Sequence, residues 1–106
     1  MWFFRLSLDI PFLARVPVYI DNEKVADLRN GRFIEMPIEP GKHICRSRSE
    51  KKGTPVETEP GAEYYFVVDA PGGRLVRVTK EWGAAHIKAL KPLDAKDISP
   101  SARMPN

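Results

Sequence analysis

The chain has 106 residues, with 17 Lys and Arg against 14 Asp and Glu, for a formal charge of +3. That length suits one domain with one modest core, and 42% hydrophobic with 29% charged residues mark a globular chain, not a disordered one. No apolar run reaches the roughly 18 residues of a membrane-spanning helix, and the single cysteine, Cys45, excludes an intramolecular disulfide and a cysteine-built zinc cage.

The first segment, Trp2 to Leu8, reads as a strand with Trp2, Phe4, Leu6 and Leu8 on one face and Phe3, Arg5 and Ser7 on the other. Arg5 and Asp9 interrupt the apolar run and no small-x-small site follows, so a strand is preferred to a signal peptide. The chain is then either cytoplasmic or the product of a removed export segment. Val16-Pro17-Val18-Tyr19-Ile20 is the next strand, and Pro17, which has no amide hydrogen, puts it at an edge or makes it start there. Asp21-Asn22-Glu23 is a tight turn, and Lys24 to Leu28 returns with Val25 inward.

Arg29-Asn30-Gly31 carries the Asn-Gly hairpin signal, leading to Arg32–Ile38 with Ile34, Met36 and Ile38 alternating. Glu39-Pro40-Gly41-Lys42 is a turn that needs positive φ at Gly41. His43 to Ser49 follows as a strand, Glu50 to Gly53 as a polar loop tip, and Thr54 to Glu59 as a short strand around Val56. After the Pro60-Gly61 turn, Ala62 to Val68 is the most β-prone stretch, with Tyr64, Phe66 and Val68 on one face and Tyr65 and Val67 on the other. Two apolar faces predict a central strand. Pro71-Gly72-Gly73 turns into Arg74–Thr79, where Val76 and Val78 share one face and Leu75 and Arg77 the other.

Thr79 is a helix N-cap for a short helix over Lys80–Lys91, with Trp82, Ala85 and Ala89 along its apolar stripe and Ile87 and Leu90 widening it. Glu81 suits the helix start and Lys88 and Lys91 its end. From Pro92 to residue 106 the chain reads as a flexible tail, with Leu93 and Ile98 as possible tethers. Short strands and regular turns predict a sandwich of two antiparallel sheets over residues 2–91, with a partly closed barrel as the alternative.

Few residues carry chemistry. His43 and Cys45 share a strand face, the spacing a base and a nucleophile would need, but nothing in sequence supplies an orienting group or an oxyanion site. A packed strand is the preferred reading, and neither a cofactor motif nor paired carboxylates appear. His43, His86 and a carboxylate are the one conceivable metal set. Lys42, His43, Arg46, Arg48, Lys51 and Lys52 form the densest basic stretch, offset only by Glu50. It is read as charge that keeps an edge strand soluble, or as a patch for an anionic ligand or polymer. A net +3 is a weak nucleic-acid signal. Most aromatics fall at core positions; Tyr19 and Tyr65 are the expected surface members, open to stacking on a sugar ring.

Several segments in order are similar to PEGA-type domains, and more so to a related bacterial family of unknown function often found on envelope lipoproteins. They are Trp2-Phe3-Phe4-Arg5, Val18-Tyr19-Ile20-Asp21, Pro40-Gly41-Lys42-His43, Gly61-Ala62-Glu63-Tyr64-Tyr65 and the closing Lys80–Lys91. Asn22 stands where the family has glycine, and asparagine also accepts positive φ; the lipoprotein signal is missing. The resemblance implies an immunoglobulin- or transthyretin-like β-sandwich, an association with the bacterial envelope and no catalytic residues. The expected function is therefore a non-enzymatic binding or scaffolding module for a protein or envelope component.

Overall fold

The computed structural model describes residues 1–7, 15–69 and 72–100. Leu8, Asp9, Pro71 and residues 101–106 of the expected tail lie outside them. Among the described residues nine strands, β1 (Trp2–Phe4), β2 (Val16–Ile20), β3 (Glu23–Leu28), β4 (Arg32–Glu35), β5 (Gly41–Ser47), β6 (Thr54–Thr58), β7 (Tyr65–Asp69), β8 (Arg74–Val78) and β9 (Lys91–Pro92), and one α-helix, α1 (Lys80–Ile87), form a two-sheet β-sandwich. One sheet runs β8-β7-β1-β4-β9 and the other β3-β2-β5-β6. The four-stranded sheet is antiparallel throughout. The five-stranded sheet is mixed, not antiparallel as expected, because β1 runs parallel to β7 and β9 parallel to β4.

The alternating patterns set the inner faces. Val16, Val18 and Ile20 of β2 point inward, as do Tyr64, Phe66 and Val68 around β7, and with Phe3, Leu28, Ile34, Met36 and Leu75 they fill the space between the sheets. The second apolar face of β7, Tyr65 and Val67, joins Phe4 in a separate cluster beneath α1. The expected central position of this strand follows, with β8 on one side and β1 on the other.

Thr79 caps α1 as expected, its hydroxyl accepting the Trp82 amide at 3.2 Å. The face that packs is different. Gly83, Ala84, Ile87 and Leu90 meet the sheet, whereas Trp82 is 40% exposed and Ala85 and Ala89 face outward. The reason is close approach: a Cβ on Gly83 would stand 2.5 Å from Tyr65 Cδ2, so only glycine lets the helix rest on that ring. The helix also ends at Ile87, short of Lys91, because Lys91 and Pro92 leave it to pair with β4.

Of the two places expected for Pro17, the structure takes the strand start: β2 is not an edge, lying between β3 and β5, and its register with β5 begins at Val18, one residue beyond the missing amide. One turn reading needs correction. Asn30-Gly31 does not close a hairpin. It carries the chain from β3 in one sheet to β4 in the other, where β4 pairs with β1. Gly31 takes φ +70 as the signal requires, but turn chemistry reverses the chain without choosing the strand it joins. Asp21 and Asn22 both take positive φ, 52 and 66.

Leu93 and Ile98 both act as tethers, and the segment from Pro92 to Ser99 is held to the body. Leu93 is buried, Ile98 bridges to Ala26, and the Ser99 amide donates to the Val25 carbonyl, which covers the free edge of β3. Buried Asp97 accepts from Arg29 Nη2 at 3.2 Å and Nε at 3.3 Å, a side-on bidentate pair.

Candidate functional site

The basic stretch spans β5 and the turn after it. Alternation on β5 sends Lys42, Ile44 and Arg46 to the outer face of the four-stranded sheet and His43, Cys45 and Ser47 the other way. The six expected patch residues therefore separate. Lys42 stands across from Glu57 in the β5–β6 register. The Arg46 guanidinium carbon lies 4.3 Å from the centroid of the Tyr19 ring, a cation–π contact. Arg48, beyond the end of β5, donates its amide to Pro17 and lines a cleft of about 350 Å³ with Arg15, Ser47, Ser49 and Gly72-Gly73. Lys51 and Lys52 are exposed in the β5–β6 turn.

Arg15 was not singled out in the sequence, since nothing near it in the chain is basic; only the fold brings it beside Arg48. The cleft's hydroxyls are already committed. Ser49 donates to the Gly72 carbonyl at 3.2 Å, so the 2.9 Å contact between Ser47 and Ser49 has Ser47 as donor. Arg15 and Arg48 are the charged residues of the cleft's lining.

Glu50, the one acid in the stretch, is turned inward. Its Oε2 accepts the Ser47 amide at 2.7 Å and the Leu75 amide at 3.3 Å. It thereby links β5 of one sheet to β8 of the other, and the polar loop tip of the sequence is a staple between sheets.

His43 and Cys45 do not form a nucleophile–base pair. Cys45 is fully buried, its Sγ 3.5 Å from Met1 Sδ, and burial pushes the thiol up to about 12, which leaves no thiolate near neutral pH. His43 directs Nδ1 to Asp21 Oδ2 at 2.6 Å and Nε2 to the Glu39 carbonyl at 2.7 Å. Asp21 also accepts the Ile44 amide through Oδ1 at 2.9 Å. From its neighbours in the chain Asp21 reads only as a turn residue; its second role needs β5 beside that turn.

His86 is elsewhere, stacked on Trp82 at 3.7 Å between ring centroids and bonded through Nδ1 to the Trp82 carbonyl. Among the described residues no three His, Cys, Asp or Glu side chains gather as metal ligands. Of the expected surface aromatics, Tyr19 lies half-buried under Arg46, but Tyr65 is only 4% exposed, stacked on Trp2 and roofed by α1. Trp82, expected in the core stripe, is 40% exposed instead.

The outer face of the four-stranded sheet is open to solvent at β5 and β6. Ile44 is 46% exposed there, beside Pro55 across the β5–β6 ladder. The backbone of Ile44 faces Asp21, so by alternation Pro55 turns its missing amide to the free edge of β6. A proline at that position discourages a further strand from pairing. No helix of the described residues is long and apolar enough to cross a membrane. Comparison with protein-family models, with curated proteins and with solved structures gave no match to this chain.

Proposed function

We propose that this chain is a non-catalytic β-sandwich module that binds a protein or envelope component through the outer face of its four-stranded sheet. The observation that carries this reading is an asymmetry: α1 covers the outer face of one sheet, and the other keeps Ile44 and Pro55 in solvent between Lys42, Arg46 and Glu57. Apolar centre with polar rim is how protein-binding surfaces are built. The resemblance to PEGA-type domains supports the same reading and adds the bacterial envelope as its setting. Pro55 argues for a face-on contact in preference to strand addition at β6.

The test compares the immobilised chain with its Ile44→Glu variant as baits in a native lysate. A partner held by the unchanged chain through a high-salt wash, and lost from Ile44→Glu, supports the reading. An identical partner set on both baits, or none above a blank support, overturns it.

A second reading is favoured by one observation, the cleft that joins Arg15 to Arg48 near exposed Lys51 and Lys52 while Glu50 is turned inward. In it, the module takes an anionic ligand or polymer at that end of the sandwich. Retention on a sulfated polymer that falls steeply with salt, and falls further in Arg15→Ala and Arg48→Ala, supports it. Retention unchanged by either substitution removes it.

A further inference from the structure

We infer that His43 is held as an imidazolium and, with Asp21 and the Glu39 carbonyl, forms a pH-operated clip on the turn that leads into β5. The argument is one of donors and acceptors. A carboxylate and a carbonyl oxygen only accept hydrogen bonds, and the His43 ring meets one of each, at 2.6 Å through Nδ1 and 2.7 Å through Nε2. Both ring nitrogens must therefore carry hydrogen, which is the charged form.

The clip joins three pieces distant in the chain: the β2–β3 turn through Asp21, the β4–β5 turn through Glu39, and β5 itself. Asp21 is fixed from a second side by the Ile44 amide. The Glu39 carbonyl also accepts the Thr58 hydroxyl at 2.8 Å, so β6 is tied to the same oxygen. The charged groups around the ring are the Asp21 carboxylate on the β2–β3 turn, Glu39 on the β4–β5 turn, Lys42 on β5 and Glu57 on β6; Asp21, Lys42 and Glu57 line one cleft of about 580 Å³ with His43. Acids outnumber bases, which favours the imidazolium. Consistently, the hydrogen bond to Asp21 raises the His43 pKa above its ordinary value, and the same bond lowers that of Asp21.

Deprotonation leaves one ring hydrogen for two acceptors. The carboxylate is the stronger acceptor and keeps Nδ1–H. The Nε2 lone pair then confronts the Glu39 carbonyl, and the turn before β5 withdraws from the His43 ring. The sign follows. With a raised folded-state pKa, the His43 contribution is complete below about pH 6.5, the ordinary imidazole value, and is lost as pH climbs through the raised one. With a lowered folded-state pKa, the Asp21 contribution is complete above about pH 3.9 and is lost as pH falls through the lowered one. The clip is closed between these limits.

The test is a pH titration of the ¹⁵N-labelled chain by NMR. At pH 6.5 both His43 ring nitrogens are expected at imidazolium shifts, with a midpoint above about 6.5. In Asp21→Asn, which preserves a residue suited to φ 52, the midpoint moves down toward that value. The Gly41 and Lys42 amide signals shift with the same midpoint, and in His43→Gln that shift disappears. A neutral His43 tautomer at pH 6.5, an unmoved midpoint in Asp21→Asn, or a Gly41 shift that survives in His43→Gln would each overturn the inference.

Discussion

The five-stranded sheet is buried on both faces at β7, where α1 lies over it, and the four-stranded sheet is buried on one. In β7 the residues Tyr65, Phe66, Val67 and Val68 are all buried, two against the opposite sheet and two against α1. In β5 burial switches at every step, with Cys45 and Ser47 buried and Lys42 and Ile44 exposed. The difference is written in the amino acids: an unbroken apolar run needs cover on two sides, and an alternating run needs it on one. It also separates their roles, since a covered face is spent on stability and an open one is free to meet something else.

The sharpest way to break this comparison is to truncate the outward tyrosine of each sheet. Tyr65→Ala removes a ring packed between Trp2 and Gly83 and is expected to cost about 3–5 kcal/mol, the range for large aromatic truncations in cores. Tyr19→Ala removes a half-buried ring under Arg46 and is expected to cost under about 1 kcal/mol, the worth of an exposed cation–π contact. Urea unfolding of both variants checks the ordering, and equal losses would mean that the two outer faces are not different in kind.

A pair of glycines sharpens the same contrast. Gly83→Ala should raise intrinsic helix propensity by about 1 kcal/mol, yet the new methyl would stand 2.5 Å from the Tyr65 ring. We expect overpacking to win, for a net loss of roughly 2 kcal/mol. At Gly41, at the start of β5, an added Cβ meets no atom within 4 Å but φ is +131, so Gly41→Val is expected to cost roughly 1–2 kcal/mol of backbone strain. Thermal melting of the two variants measures both, and a Gly83→Ala chain as stable as the original would mean that α1 can lift from the sheet at no cost.

What could be read from the amino acids follows from this. Period-two burial at Val16, Val18 and Ile20, the two-faced run at Tyr64–Val68, the Asp21-Asn22 turn and the Thr79 cap depend on neighbours within a few residues, and all were legible. The rest depends on partners far along the chain. Asn30-Gly31 carries a hairpin signal but changes sheets, because β1 supplies the strand that β4 joins. Trp82 scores as the apolar anchor of its helix but is displaced outward, because Tyr65 leaves room only for Gly83. The basic stretch looks continuous in sequence, yet alternation on β5 and the end of that strand divide it among an open face, a turn and a cleft. Glu50 and Asp21 are unremarkable turn acids until β8 and His43 are brought to them.

The smallest expected effect bears most directly on function. Ile44 is 46% exposed between Lys42 and Arg46 on the outer face of β5. Ile44→Glu places an acid between two bases and removes little buried area, so its stability should stay within about 0.5 kcal/mol of the unchanged chain. The measurement is a urea midpoint at unchanged slope. An isoleucine that can be charged at no cost to folding is not held there by the sandwich. A loss near that of Tyr65→Ala would instead make Ile44 part of the core, and the outer face of the four-stranded sheet would no longer be the place to look for a partner.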